Sequence, residues 1–78
     1  MINLQETLID IAQAIVDTPD EVKVTQNEDD HSITLTLTVA PDDMGMVIGR
    51  HGKIAKAIRT VIKAASANSG KKVNVEIR

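Results

Sequence analysis

The run Met46-Val47-Ile48-Gly49-Arg50-His51-Gly52-Lys53-Ile54-Ala55-Lys56 concentrates the chemistry of this chain. Two glycines bracket an arginine and a histidine, aliphatic residues flank them, and a lysine follows directly. Glycine has no Cβ, so it lets a backbone turn tightly and come close to a ligand. The helix predicted to follow opens with unpaired N–H groups that carry partial positive charge. Arg50, His51 and Lys53 add side-chain donors at the same spot. Those residue types at that spacing suit an anion, and a string of phosphates in particular. Lys53 sharpens the point. A cation at the positive end of a helix is disfavoured by a few tenths to about 1 kcal/mol, a conflict that a bound phosphate removes. The run is too short for a Walker-type phosphate loop and lacks its Lys-Ser/Thr ending.

Other chemistry is hard to find. The chain has no cysteine, hence no disulfide framework and no thiolate metal site. No nucleophile sits in a pattern with a base, so no enzyme, cofactor or small-molecule substrate is expected. His31 follows Asp29 and Asp30, but a single imidazole beside turn carboxylates reads as a solvated turn rather than a metal site. No apolar run is long enough to span a membrane, and the N-terminus lacks the basic segment of a signal peptide. A cytoplasmic protein without a membrane partner is the expectation.

Composition narrows the choice of ligand. With 78 residues the chain forms one small domain with little room for a buried enzyme pocket. Aromatic residues are absent, which excludes modules that stack bases on Phe, Tyr or Trp. Net charge is −2, yet the charges are segregated. Residues 1–43 hold ten acidic residues and one basic residue, whereas 44–78 hold eight basic and one acidic. A polarised domain with one basic side suits a polyanion, although acids and bases that pair across the fold would produce the same sequence.

The elements that must position the glycine run follow from periodicity. Leu4, Leu8, Ile11 and Ile15 recur at helical spacing with Ala12 on the same face, Asn3 and Glu6 resemble a capping box, and Thr18-Pro19 ends the helix. Val22 and Val24 predict one strand. Ile33, Leu35, Leu37 and Val39, alternating with Thr34, Thr36 and Thr38, predict a second, with an acidic turn over 27–30 between the two. A short helix is expected over 43–48, with carboxylates at its positive end. A longer one is expected from about Lys53 to Asn68, with Gly70 near its C-cap. Its predicted core face is Ile54, Ala57, Ile58, Val61, Ile62 and Ala65, with Lys56, Arg59 and Lys63 on the other side. Val73, Val75 and Ile77 predict a last strand. The order α-β-β-α-α-β implies an α+β two-layer domain, a three-stranded sheet with helices on one face.

The segment Val47-Ile48-Gly49-Arg50-His51-Gly52-Lys53-Ile54 resembles the Ile-Gly-x-x-Gly-x-x-Ile signature of KH domains, and the element order resembles their type II arrangement. Length, opening helix and the run Ile54-Ala55-Lys56-Ala57-Ile58-Arg59-Thr60-Val61 are similar to the small bacterial single-KH RNA-binding proteins of the KhpA type. The resemblance covers residues 1–78 as one domain. It implies that Gly49 and Gly52 approach a nucleic-acid backbone and that Arg50, His51 and Lys53 meet phosphates. It also implies that Ile48 and Ile54 line an aliphatic groove, with Leu37 and Val39 beside them, while Lys56, Arg59 and Lys63 extend the basic track. KH domains clamp about four single-stranded nucleotides in this way. Met46 and His51 depart from the polar or basic residues usual at their positions. By resemblance the protein would be an RNA chaperone or post-transcriptional regulator linked to cell elongation, division and envelope growth. It would self-associate or pair with a larger KH-containing protein. A different reading makes the groove around Met46, Ile48 and Ile54 a dimerisation surface instead.

Overall fold

The computed structural model describes residues 3–67 and 69–78. Helix α1 covers Leu4–Ile15. The Asn3 side chain accepts the Glu6 N–H at 3.1 Å and so caps its first turn. Leu8 and Ala12 are buried, while Leu4, Ile11 and Ile15 pack at the margin of the core, as their spacing predicts. Val16, already extended, closes the helix before Thr18-Pro19, and Pro19–Glu21 forms a single 3₁₀ turn.

Strand β1 (Lys23–Glu28) pairs antiparallel with β2 (Ser32–Thr38), and β2 pairs parallel with β3 (Lys72–Ile77). The sheet order is β1-β2-β3, so β2 is central and β3 is an open edge. Ile33, Leu35 and Leu37 point into the core together with Val24, Val73 and Val75, and Thr34 and Thr36 face the other way. The turn between β1 and β2 is held by Asp29. Its carboxylate accepts the His31 and Ser32 N–H groups at 2.7 Å each and the Ser32 hydroxyl at 3.2 Å. These backbone donors hold the Asp29 carboxyl below its usual range, and the Lys71 ammonium does the same for Glu28.

The short helix expected over 43–48 divides in two. Pro41–Asp43 is a 3₁₀ turn, and α2 is Met44–Ile48. Asp43 does not cap α2. It is buried, and its carboxylate accepts the Thr18 N–H at 3.0 Å, which ties the chain after α1 to the entry of α2. The longer helix, α3, covers Lys53–Ala65 and is closed by Ser66; its expected extension to Asn68 reaches a residue outside those described. Gly70 is not its cap but turns the chain at φ 74° ahead of β3.

The inward face of α3 differs from the predicted one. Ala55, Ile58 and Ile62 are buried, whereas Ile54, Ala57 and Val61 face outward. Apolar residues occupy more than half of the helix circumference, far more than one contact with a sheet can cover. Periodicity marks the apolar arc but not which part of it meets the sheet. All three helices pack on one side of the sheet, so the α+β two-layer arrangement in the order α-β-β-α-α-β is the one observed.

Candidate nucleic-acid interface

The glycine loop joins α2 to α3 by three residues of positive φ, Gly49 (74°), His51 (58°) and Gly52 (74°). The glycines serve different ends. A Cβ on Gly49 would overlap Ile54 Cγ1 and lie 3.0 Å from the Ile54 backbone nitrogen, so this position excludes every side chain. Around Gly52 nothing lies within 4 Å, and only its left-handed backbone calls for glycine. His51 adopts the left-handed conformation despite its Cβ; histidine is among the side chains enriched there. The loop is a tight turn over Gly49–Gly52, closed by the Gly52 N–H on the Gly49 carbonyl at 3.3 Å. This places Arg50 and His51 at the tip, both exposed, directly before the first turn of α3. That first turn contains no acidic residue to offset Lys53.

From the loop a basic groove runs between α3 and the edge strand β3. Lys56, Arg59, Thr60 and Lys63 form one wall and Val73, Asn74 and Val75 the other, around a hollow of about 350 Å³. The spacing i, i+3, i+4, i+7 places the four helical residues on one face. Arg59 Nε donates to the Val75 carbonyl at 3.2 Å and so spans the groove. A neighbouring hollow shares Lys63 and Val73 and adds Lys71 and Lys72, which carries the basic track on to the start of β3. Among the described residues the ion pairs are Lys71–Glu28 and Arg78–Glu76. Lys71–Glu28 is the pair that joins the two halves of the chain, and Arg50, Lys53, Lys56, Arg59 and Lys63 take part in no ion pair among those residues.

The predicted site residues divide into two groups. Gly49, Arg50, His51, Gly52 and Lys53 form the loop and helix start, and Lys56 opens the groove. Ile48 and Ile54 stand beside the loop, 39% and 38% exposed, with Ile54 seated over Gly49. Together with Met46 and Val61 they form an exposed apolar flank, not a wall of the α3–β3 groove. The expected neighbours Leu37 and Val39 are corrected: both are buried in the core, Leu37 on the inward face of the central strand β2 and Val39 just after that strand. The groove instead draws Val73, Asn74 and Val75 from β3, which sequence reasoning missed. Nothing in the chain foretells a parallel β2–β3 pairing that leaves β3 at the edge beside α3.

A model of the KH domain of KhpA and KhpB matches residues 5–77. The chain belongs to the KhpA/KhpB KH-domain family. Its relatives include proteins named RNA-binding protein KhpA from several bacteria. The one from Clostridium acetobutylicum is 55% identical over 95% of this chain and 99% of its own length. That from Halalkalibacterium halodurans is 47% identical over 92% and 96%, and that from Bacillus subtilis 44% identical over 96% and 93%. Among solved structures, Era in complex with MgGDPNP and nucleotides 1506–1542 of 16S ribosomal RNA superimposes with a TM-score of 0.71 at 19% identity. The match covers 95% of this chain and 28% of that one, a likeness of fold. The matched residues include the loop Gly49–Gly52 and the elements α2, α3 and β3 around it.

Proposed function

We propose that this KH protein binds single-stranded RNA through the Gly49–Gly52 loop and the α3–β3 groove. The observation that carries the reading is the continuity of the loop cations with the groove cations, from Arg50 through Lys53, Lys56, Arg59 and Lys63. In this reading Gly49 and Gly52 bring the loop backbone close to the strand. Arg50, His51 and Lys53 hold phosphates at the start of α3. Lys56, Arg59 and Lys63 follow the strand along the helix, and bases meet the open edge of β3. The relatives named as RNA-binding support RNA as the ligand. A single small groove reads few bases, which suits an RNA chaperone or post-transcriptional regulator working in the cytoplasm, connected with cell elongation, division and envelope growth.

The test is binding of labelled single-stranded RNA across a salt series, by wild type and by Arg50→Asp combined with His51→Asp, with circular dichroism to confirm that the variant folds. Wild type binds with a slope of roughly −2 to −3, as expected for three or four phosphates, and the variant loses binding. Equal binding by a folded variant contradicts the reading.

A second reading rests on the apolar flank. Met46, Ile48, Ile54 and Val61 are each about 40–50% exposed, large apolar side chains that water leaves uncovered at a cost. A second copy of the chain, or a larger KH-containing protein, would cover them. Ile54, Ala57 and Val61 lie roughly 160° around α3 from the Lys56–Arg59–Lys63 face, since successive residues turn by about 100°. Association and RNA binding therefore use different sides of one helix. Ile54→Asp is expected to dissociate an oligomer in sedimentation while groove binding persists.

A further inference from the structure

We propose that Arg59 makes the α3–β3 groove select guanine at one position, by offering its guanidinium to O6 and N7 of an unstacked base while it occupies the Val75 carbonyl. The inference rests on the RNA-binding reading and extends it to base preference.

The argument begins at the edge of the sheet. The Lys72 N–H bonds to the His31 carbonyl at 3.0 Å and the Arg78 N–H to the Leu37 carbonyl at 2.8 Å. Even-numbered residues of β3 thus turn their backbone groups toward β2. Val73, Val75 and Ile77 turn theirs to the open edge, into the groove where a base would lie. A free carbonyl there accepts a hydrogen bond from the N6 amine of adenine or the N4 amine of cytosine, where guanine carries O6. In this chain Arg59 Nε already holds the Val75 carbonyl at 3.2 Å. The edge at this point presents donors instead of an acceptor.

A guanidinium has five N–H donors in a fixed fork, and the carbonyl takes one of them. Arg59 takes part in neither ion pair among the described residues, so no carboxylate there competes for the rest. The anchored fork loses little freedom when it binds. An arginine fork matches the paired acceptors O6 and N7 of guanine, and single-stranded bases expose that edge. On that edge adenine and cytosine place an amine against the fork, and uracil offers only O4. Because the chain has no aromatic residue to stack a base, edge recognition must carry base choice here.

The test measures binding of short oligouridine RNAs carrying one guanosine, adenosine, inosine or 7-deazaguanosine. Wild type is expected to prefer guanosine over adenosine by about tenfold at one register, the discrimination typical of a bidentate pair. Inosine, which keeps O6 and N7, binds as guanosine, and 7-deazaguanosine binds as adenosine. Arg59→Lys, which keeps the charge but not the fork, loses the preference. Salt-dependent binding without guanosine preference overturns this inference alone. So does a 7-deazaguanosine that binds as well as guanosine, which would mean stacking rather than edge reading. Failure to bind any of these RNAs overturns the RNA-binding reading and this one with it.

Discussion

The two glycines of the signature look alike in sequence and are unlike in the fold. Gly49 sits under Ile54 with no space for a methyl group, whereas Gly52 is open to solvent and needs only its left-handed backbone. Gly52→Ala is therefore expected to cost about 1–2 kcal/mol, the penalty for holding an L-residue in that conformation. Gly49→Ala should cost more, because α3 must move away as well. Thermal or urea unfolding of the two variants checks the order, and equal losses would contradict it. The pair of glycines was legible from the chain, since flanking aliphatics and a following amphipathic run frame them. The clash with Ile54 was not, because a residue five positions away comes near only through the particular angle at which α3 leaves the loop.

At the scale of elements, α3 carries three faces. Ala55, Ile58 and Ile62 meet the sheet, Lys56, Arg59, Thr60 and Lys63 form a groove wall, and Ile54, Ala57 and Val61 face outward. Ile62→Ala is expected to cost about 2–5 kcal/mol, as for a fully buried aliphatic side chain. Val61→Ser, one residue earlier, should change the stability of an isolated chain by less than about 0.5 kcal/mol. Chemical denaturation separates the two, and similar losses would restore the face predicted from periodicity. The basic face was legible because charged residues at i, i+3 and i+7 have no place in a core. The division of the apolar arc was not, because six apolar residues fit more than one rotation of the helix against the sheet. The β1–β2 turn makes a prediction of another kind. Its Asp29 carboxyl lies below its ordinary range because backbone N–H groups favour the charged form. The stabilisation it contributes is present above the unfolded-state value of about 4 and is lost as pH falls through the lower folded value. Asp29→Ala should therefore melt below wild type at pH 6, with the gap closing toward pH 3. A gap that does not change with pH would contradict this.

For the molecule as a whole, the segregation of charge along the chain leaves the loop and α3 basic, while the acidic β1–β2 turn meets Lys71 and Lys72 at the start of β3. Of the first-half acids, Glu6 and Asp10 lie on α1, Asp17 just after it, Asp20, Glu21, Asp42 and Asp43 on 3₁₀ turns, and Glu28, Asp29 and Asp30 around the β1–β2 turn, while loop, α3 and the start of β3 carry most of the cations. That polarity was legible from residue order alone, as was the two-layer fold, because each element announces itself by period or by turn residues. The partner of β2 in the sheet was not legible. Parallel pairing with β3 is decided by how α2 and α3 cross over, and it supplies the second wall of the groove. The account stands or falls on whether that groove is where nucleic acid lies. The most direct measurement is an amide chemical-shift titration of the ¹⁵N-labelled protein with single-stranded RNA. The account predicts shifts confined to Gly49–Lys53, the Lys56–Lys63 face and Val73–Val75, with Thr25 and Thr36 on the opposite sheet face unmoved. Shifts clustered on that sheet face, with the loop and β3 silent, would contradict it.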